Sequence, residues 1–246
     1  MSPSCKLVFE VHSLRNASPA TVSRCGMIYI GVTALTWDII LQAWFKTRTP
    51  GEAAVLEPLF NSCFGAASAF LNTELKVKMI VQRNAYVTNM INFLNGLIPR
   101  IEPNKAVNTD HLEKLFVFAL MWSLGALCEL DDRKKLQQFL LTNAPNLKYP
   151  PLDQNSADTI YEFHVADDGS WAHWRQRVPE WTYPQDSTPE FSSIIIPTVD
   201  NVRTEFLMDT IAKQGKGVLL IGEPGTAKTV TVQRYLDKLN SEAHLF

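Results

Sequence analysis

The feature that most constrains the fold of this chain is a loop near its carboxyl end, Gly222–Thr229, with the sequence GEPGTAKT. The apolar run Val218–Ile221 precedes it, and the segment Val230–Leu236 that follows has the composition of a helix. A strand, a glycine-containing loop ending in Lys-Thr, and a helix form the context in which backbone N–H groups and a helix N-terminus bind phosphates. The sequence therefore predicts a buried strand at Val218–Ile221 that leads into a phosphate-binding loop.

In such a loop the last two residues have distinct chemical roles. Lys228 is predicted to reach the terminal phosphates of ATP or ADP, and the Thr229 hydroxyl to hold the Mg²⁺ that bridges them. The predicted nucleotide-binding residues are Gly222, Glu223, Pro224, Gly225, Thr226, Ala227, Lys228 and Thr229. The alternative is a turn that joins a strand to a helix without binding a ligand. The position of Lys-Thr between an apolar run and a helix favours the phosphate-binding interpretation.

Ala227 departs from the general pattern G-x-x-x-x-G-K-[ST], which has glycine immediately before the lysine. If this position requires a left-handed backbone, alanine costs roughly 1–2 kcal/mol. If the residue already lies in the first helical turn, alanine is about 0.8–1 kcal/mol better than glycine. We expect the helical conformation at Ala227, and therefore that nucleotide binding is retained.

Composition excludes several classes of protein. Hydrophobic residues make up 46% of the 246 residues and charged residues 20%, which is typical of a globular chain of one or two domains. The net charge of −2 gives no basic excess that would indicate a nucleic-acid partner. Cys5, Cys25, Cys63 and Cys128 are widely spaced and form no C-x-x-C pair, so neither a zinc site nor a disulfide framework is indicated. The apolar run Leu115–Cys128 is shorter than the ~18 residues of a membrane span, so no membrane partner is expected.

The amino-terminal region, residues 1–31, has the pattern of two strands around a short helix. Leu7–Val11 and Met27–Ile30 are predicted strands. Ser18 precedes a proline and is a good N-cap, so the helix is predicted to begin there and to end at Arg24. Arg24 would then lie at the rim of the sheet to which the two strands belong.

The middle of the chain changes character twice. Residues 32–148 contain apolar residues at helical spacing, which predicts four or five helices in a compact bundle. Residues 149–192 are an irregular stretch rich in proline and tryptophan, with a predicted strand at Thr159–Val165 and a turn at Asp167–Gly169. Its aromatic residues are predicted to anchor this stretch on a neighbouring domain; they are Trp171, Trp174, Trp181 and Tyr183.

Residues 193–246 open the phosphate-loop domain, with a helix predicted from about Thr198 to Lys213. In many nucleotide-binding domains a segment just ahead of the first core strand lies beside the base. Pro197, Thr198 and Val199 are therefore candidate neighbours of the adenine ring. That this segment only connects the helix to the rest of the domain is an equally open alternative.

Two motifs resemble dynein heavy chains. Asn16–Met27, NASPATVSRCGM, looks like a segment near the end of the second AAA+ module of that family. Ile196–Arg203, IPTVDNVR, followed by the GEPGTAKT loop, is similar to the start of the third module. Trp171–Pro184 resembles the linker into the third module of axonemal, outer-arm-type chains, and Ala227 also fits that subgroup. The resemblance covers essentially the whole chain.

The resemblance implies a mixed α/β fold that is predominantly α-helical: a helical AAA+ lid flanked by two partial P-loop NTPase (AAA+) α/β subdomains. Residues 1–31 would be the C-terminal end of an AAA+ large subdomain, and residues 32–148 the helical lid. Residues 149–192 would be the linker, and residues 193–246 the N-terminal part of the next P-loop AAA+ domain.

The resemblance also implies a function, that of a ring motor that converts ATP hydrolysis into movement along microtubules. ATP or ADP with Mg²⁺ would be the cofactors. The partners would be the rest of the motor ring, dynein complex subunits and, through the full-length chain, microtubules. The location would be the cytoplasm and cytoskeleton, in the axoneme of a cilium or flagellum. Arg24 matches the family's arginine finger, which faces the nucleotide of the neighbouring module.

We expect no useful ATP hydrolysis by this polypeptide alone, because the sequence lacks the strand with the metal-holding carboxylates and the sensor residues that would complete the site. A non-catalytic helical interaction or scaffold protein with a vestigial nucleotide site is the alternative function. A small P-loop kinase is disfavoured, because such enzymes place the loop near their start.

Overall fold

The computed structural model describes residues 6–31, 35–98, 108–153, 156–183, 194 and 196–239. The chain divides into two compact units, Met1–Thr36 and Trp37–Phe246. In the first unit, helix α1 spans Pro19–Arg24. Ser18 is its N-cap, as predicted, because its side chain accepts a hydrogen bond from the backbone N–H of Thr21.

The strands predicted in the first unit are wrong. Leu7–Val11 and Met27–Ile30 have no strand partner among the described residues, and their side chains are exposed; Val8 is 95% exposed and Tyr29 94%. A strand is stable only when a neighbouring strand takes up its backbone hydrogen bonds and covers one face. No segment described in this unit offers such a neighbour, so the apolar composition of these runs does not produce strands here.

The second unit is built mainly of helices, and the predicted bundle is confirmed. Among its described residues, five helices come first: α2 (Trp37–Phe45), α3 (Pro50–Glu74), α4 (Arg83–Leu97), α5 (Thr109–Gly125) and α6 (Leu130–Asn143). Two more follow in the second half: α7 (Val199–Ala212) and α8 (Lys228–Asp237). Helix α5 is the centre of the bundle, because every residue from Leu115 to Gly125 is buried.

Local sequence explains where the longest helices begin. At the start of α3, Thr49 and Glu52 form a reciprocal capping box in which each side chain accepts a hydrogen bond from the other's backbone N–H. Arg48 adds an ion pair to Glu52 at 2.8 Å. At the start of α5, the side-chain oxygen of Asn108 accepts a hydrogen bond from the N–H of His111. These contacts satisfy N–H groups that a helix leaves free at its first turn.

By length and composition alone, α3 is also apolar enough to cross a membrane. Its apolar side chains are instead packed in the bundle: Leu56, Phe60 and Phe64 are fully buried, and the Phe60 ring meets the Phe116 ring of α5 edge-on at 5.0 Å. This is the packing of a core helix.

A small hairpin joins the bundle to the second half of the unit. Strand β1 (Phe163–Val165) pairs antiparallel with β2 (Trp171–His173), and Gly169 adopts φ 82° in the turn between them. The predicted turn is confirmed, whereas the predicted strand at Thr159–Val165 is too long. Its first half forms a single 3-10 turn, Ile160–Glu162, before β1 begins.

The aromatic residues of the irregular stretch differ in burial. Trp174 is fully buried, and its ring lies 6.3 Å from Phe118 of α5 and 5.3 Å from Phe206 of α7. Trp181 and Tyr183 remain partly exposed and contact each other. Trp174 therefore fixes this stretch between α5 and α7, while the last two aromatic residues have no such role among the described residues.

Helix α7 packs directly on α4. A Cβ atom built on Gly96 would lie 2.2 Å from the carbonyl oxygen of Thr210, so only glycine permits this approach. Close by, the Gln214 side-chain N–H donates a 2.7 Å hydrogen bond to the carbonyl oxygen of Asn92. Helix α7, which leads toward the glycine loop, therefore packs against α4 with its backbone in close contact.

Candidate nucleotide-binding site

The segment that enters the loop differs from the prediction. Val218–Ile221 was predicted as a buried strand, but it has no strand partner among the described residues, and Leu219 is 72% exposed. The reason is the same as in the first unit: the described part of the chain offers no neighbouring strand to pair with it. The loop nevertheless follows this segment and precedes a helix, as predicted.

The backbone of the loop corrects the expectation for Ala227. This residue has φ 58° and ψ 19°, in the left-handed region, and it precedes the first helical residue, Lys228. The helical conformation expected at this position is therefore wrong. The chain must turn sharply between Gly225 and the start of α8, and the left-handed conformation at Ala227 makes this turn. Alanine bears the ~1–2 kcal/mol cost that glycine would avoid.

The loop has the backbone geometry of an anion-binding nest. Gly225 and Ala227 both have positive φ, whereas Thr226 between them does not. Alternation of this kind turns successive N–H groups toward one side. No side chain caps the N-terminus of α8, so its first N–H groups are available to a ligand. The left-handed backbone of the loop and the dipole of α8 therefore both favour a negatively charged ligand at the N-terminus of α8.

Lys228 supplies the positive charge of the site. Its ammonium group donates hydrogen bonds to the carbonyl oxygens of Gly222 at 3.0 Å and Glu223 at 2.6 Å, and to the Thr226 hydroxyl at 3.1 Å. The loop therefore closes around the amine. Gly222 suits this closure, because a Cβ there would lie 3.0 Å from the Thr226 hydroxyl oxygen, a tight contact that the threonine side chain would have to relieve.

These residues fit a nucleotide phosphate chain with Mg²⁺. The Thr229 hydroxyl lies in the first turn of α8, exposed beside Lys228. No group of three or more His, Cys, Asp or Glu side chains suited to a metal ion occurs in the described part of the chain. A magnesium ion at this loop would therefore depend on phosphate oxygens and the Thr229 hydroxyl.

A cavity of about 750 Å³ opens beside the loop, between Lys228 on one side and helices α4, α5 and α7 on the other. Tyr86 and Trp122 line it, and within the described residues neither the Tyr86 hydroxyl nor the Trp122 indole N–H has a hydrogen-bond partner. Burial raises the pKa of the Tyr86 hydroxyl. Burial also lowers the pKa of Arg133, whose guanidinium lies over the Trp122 ring at 5.2 Å.

Arg24 lies where the sequence places it, at the carboxyl end of α1. The guanidinium donates a 2.8 Å hydrogen bond to the carbonyl oxygen of Ala20, one turn earlier in the same helix. The side chain is exposed. A role of Arg24 in the nucleotide site of a neighbouring module remains a prediction.

The candidate adenine neighbours lie at the start of α7. Thr198 is the N-cap, with its hydroxyl oxygen accepting a hydrogen bond from the N–H of Asn201, and Val199 is partly buried against the core. Pro197, Thr198 and Val199 do not line the cavity beside the loop. Their place beside a base remains a prediction.

Sequence reasoning missed a buried ion cluster behind the loop. Glu205 of α7 is 9% exposed and pairs with Arg234 of α8 and with Lys238, the residue that follows α8. The sequence feature that could have predicted this cluster is a carboxylate on the apolar face of α7, between Val202 and Met208. Such a residue is almost never buried unless it is paired.

Two family models match the chain. Residues 56–176 match the dynein heavy chain AAA lid domain, and residues 183–246 match the P-loop containing dynein motor region. The first range contains helices α4–α6 and the hairpin, and the second contains α7, the loop and α8.

Similar proteins cover the whole chain. Dynein axonemal heavy chain 8 of Mus musculus is 52% identical over 100% of this chain, and dynein axonemal heavy chain 5 of Rattus norvegicus is 46% identical over 99%. The dynein gamma chain of the flagellar outer arm of Chlamydomonas reinhardtii is 38% identical over 98%. The chain spans only 5% of the first and third of these relatives and 7% of the second. With the two family models, these similarities show that the chain belongs to the dynein heavy-chain family.

Proposed function

We propose that Gly222–Thr229 binds the phosphates of ATP or ADP together with Mg²⁺. The observation that carries this proposal is the left-handed backbone at Gly225 and Ala227, immediately before the uncapped N-terminus of α8. Backbone N–H groups in this arrangement bind anions, and Lys228 adds a charge-assisted donor beside them. The Thr229 hydroxyl supplies a ligand for Mg²⁺, which neutralises the β- and γ-phosphate oxygens when bound.

We further propose that the chain is part of the motor ring of an axonemal dynein heavy chain and contributes to ATP-driven movement along microtubules. The relatives are named as axonemal or flagellar dynein chains. Their names support a location in the axoneme of a cilium or flagellum and, as partners, the rest of the ring, other dynein subunits and microtubules.

The proposed position in the ring is the boundary between the second and third modules. Residues 1–31 end the large subdomain of the second module, 32–148 form its lid, 149–192 are the linker and 193–246 begin the third module. Arg24 then serves as an arginine finger for the nucleotide of the first module. An exposed guanidinium at a helix end is able to approach a neighbour's γ-phosphate, which supports this role.

Calorimetric titration with Mg-ADP and Mg-ATP tests the nucleotide proposal. We expect saturable binding of one nucleotide, and its loss in Lys228→Ala. Lys216→Ala is the matched control, because Lys216 is an exposed lysine ahead of the loop with no place in it. Equal affinity of Lys228→Ala and the unmodified chain contradicts the proposal. Absence of binding favours the alternative, a helical interaction or scaffold protein with a vestigial site.

Arg24 is tested in the full-length motor. We expect Arg24→Lys to lower microtubule-stimulated ATPase activity strongly, because an arginine finger contributes on the order of 10³-fold or more to phosphoryl transfer and lysine lacks the planar fork. Unchanged turnover contradicts the assignment of Arg24 to the neighbour's site.

A further inference from the structure

A buried carboxylate of α7, Glu205, connects the helix that carries Lys228 and Thr229 to the rest of the unit. Arg234 Nε lies 2.8 Å from Oε1 of Glu205, and Lys238 Nζ donates a hydrogen bond to Oε2. Arg234 belongs to α8 and Lys238 follows its last residue as the C-cap, whereas Glu205 belongs to α7. The side chains of Glu205 and Arg234 are 11% and 16% exposed, so this pair is largely removed from solvent screening.

The remaining contacts of α8 make it dependent on this cluster. Tyr235 donates a long hydrogen bond of 3.4 Å to Asp209, also on α7. Thr231 is the one buried residue of α8, while Val230 and Val232 are exposed. Because α8 is short and buries so little apolar surface, its orientation depends mainly on its ionic contacts. These are the salt bridges to Glu205.

Glu205 cannot touch a phosphate at the loop itself. Arg234 follows Lys228 by six residues, which corresponds to roughly 9 Å along a helix. Any effect of Glu205 on phosphate binding must therefore pass through the position of α8. Rotation or tilt of α8 would move the uncapped N–H groups, the Lys228 ammonium and the Thr229 hydroxyl together.

On its other side α7 packs against the helical bundle, so the position of Glu205 is fixed. Gly96 of α4 lies directly against the Thr210 carbonyl oxygen, and Arg203 pairs with Glu162 at 3.3 Å. Helix α7 thus connects the bundle on one side to α8 on the other. Without the Glu205 cluster, α7 would keep its place while α8 would lose its strongest attachment.

We propose that Glu205 is a positioning residue for the phosphate loop: it holds α8 on α7 in the orientation that places Lys228 and Thr229 for phosphate binding. This inference rests on the proposed function of the loop as a nucleotide site. It makes Glu205, a residue outside the loop, control the phosphate affinity of the loop through salt bridges to Arg234 of α8 and to Lys238 just after it.

The test compares Mg-ADP affinity and peptide-level hydrogen exchange in matched variants. We expect Glu205→Gln to weaken Mg-ADP binding by about tenfold or more, because removing the carboxylate leaves the largely buried Arg234 uncompensated. Exchange should become faster in α8 but stay unchanged in α4–α6. Asp237→Asn is the control, since it removes an exposed carboxylate from α8 itself, and we expect its affinity to be unaltered.

A charge exchange gives a second, independent readout. Glu205→Arg combined with Arg234→Glu restores an opposite pair between α7 and α8, and we expect it to recover part of the affinity that Glu205→Arg alone loses; recovery is only partial because Lys238 then faces a like charge. Should Glu205→Gln fail to fold, Arg234→Gln, on the α8 side of the same pair, takes its place.

Outcomes separate the two proposals. Binding by the unmodified chain that Lys228→Ala abolishes but Glu205→Gln leaves unchanged overturns the role of Glu205 alone. Slower folding or a lower unfolding midpoint in Glu205→Gln, with nucleotide affinity retained, also overturns it. No binding by the unmodified chain overturns the nucleotide site and the role of Glu205 with it.

Discussion

Replacing Gly96 by alanine tests the packing that holds α7, and hence the loop, on the bundle. In an exposed helix, alanine is about 0.8–1 kcal/mol more favourable than glycine. At Gly96, however, the new methyl would lie 2.2 Å from the Thr210 carbonyl oxygen and 2.7 Å from both the Gln214 side-chain nitrogen and the Thr210 methyl carbon. The carbonyl belongs to a helix backbone and cannot move aside alone.

The clash therefore has to be relieved by separating α4 from α7. Overpacking of this kind costs typically 1–3 kcal/mol. Displacing Gln214 also removes its hydrogen bond to the Asn92 carbonyl oxygen, worth about 0.5–1.5 kcal/mol. Subtracting the gain in helix propensity leaves a net destabilisation of about 0.5–3.7 kcal/mol.

Urea denaturation followed by circular dichroism measures this effect, with Gly65→Ala as the control. Gly65 is also inside a helix, α3, but a Cβ there meets only the Trp37 ring at an ordinary 3.6 Å. We expect Gly65→Ala to be neutral or stabilising by up to about 1 kcal/mol. If Gly96→Ala stabilises the chain as Gly65→Ala does, the close packing of α4 and α7 is refuted.

Three further predictions concern single side chains. Ala227→Gly should stabilise the folded chain by up to about 1 kcal/mol, because it removes the left-handed cost of ~1–2 kcal/mol but adds chain entropy to the unfolded state. A lower free energy of unfolding for this variant in urea denaturation contradicts this. Burial lowers the pKa of His164, so the unfolded chain binds more protons below the usual pKa near 6.5. The free energy of unfolding, measured by denaturation between pH 7.5 and 5.5, should therefore be highest above pH 6.5 and fall on acidification by at most about 1.4 kcal/mol per pH unit. His164→Phe should remove most of this pH dependence. Burial raises the pKa of Cys63 to about 12 and of Cys128 to about 11, so at pH 8 a thiol reagent should modify exposed Cys25 well before either buried thiol, and equal rates contradict this.

The sequence predicted the helices well because their signals are local. The cap at Ser18 and the apolar spacing of the bundle helices each act within a turn or two of the chain, and α1 begins after Ser18 and ends at Arg24 as predicted. Periodicity was enough to predict a bundle. It could not predict that Gly96 allows α4 to contact α7, because that contact joins residues far apart in the chain.

Strands and loop backbone were predicted less well, for a different reason. The runs Leu7–Val11 and Val218–Ile221 are apolar, but strand formation depends on a partner that the run itself does not encode. The conformation of Ala227 was mistaken because helix propensity favours alanine at a helix start, whereas the turn geometry after Gly225 demands the left-handed region. In both cases tertiary geometry overrode the local preference of the residues.

Hydrogen exchange of the loop amides tests most directly whether this segment binds phosphate through its backbone. We expect Mg-ADP to slow exchange in a peptide covering Gly222–Val230, with a smaller effect along α8, and we expect this protection to disappear in Lys228→Ala. Unchanged exchange across Gly222–Val230 at saturating Mg-ADP, or protection confined to the helices lining the cavity, would contradict the assignment of the loop as the phosphate site.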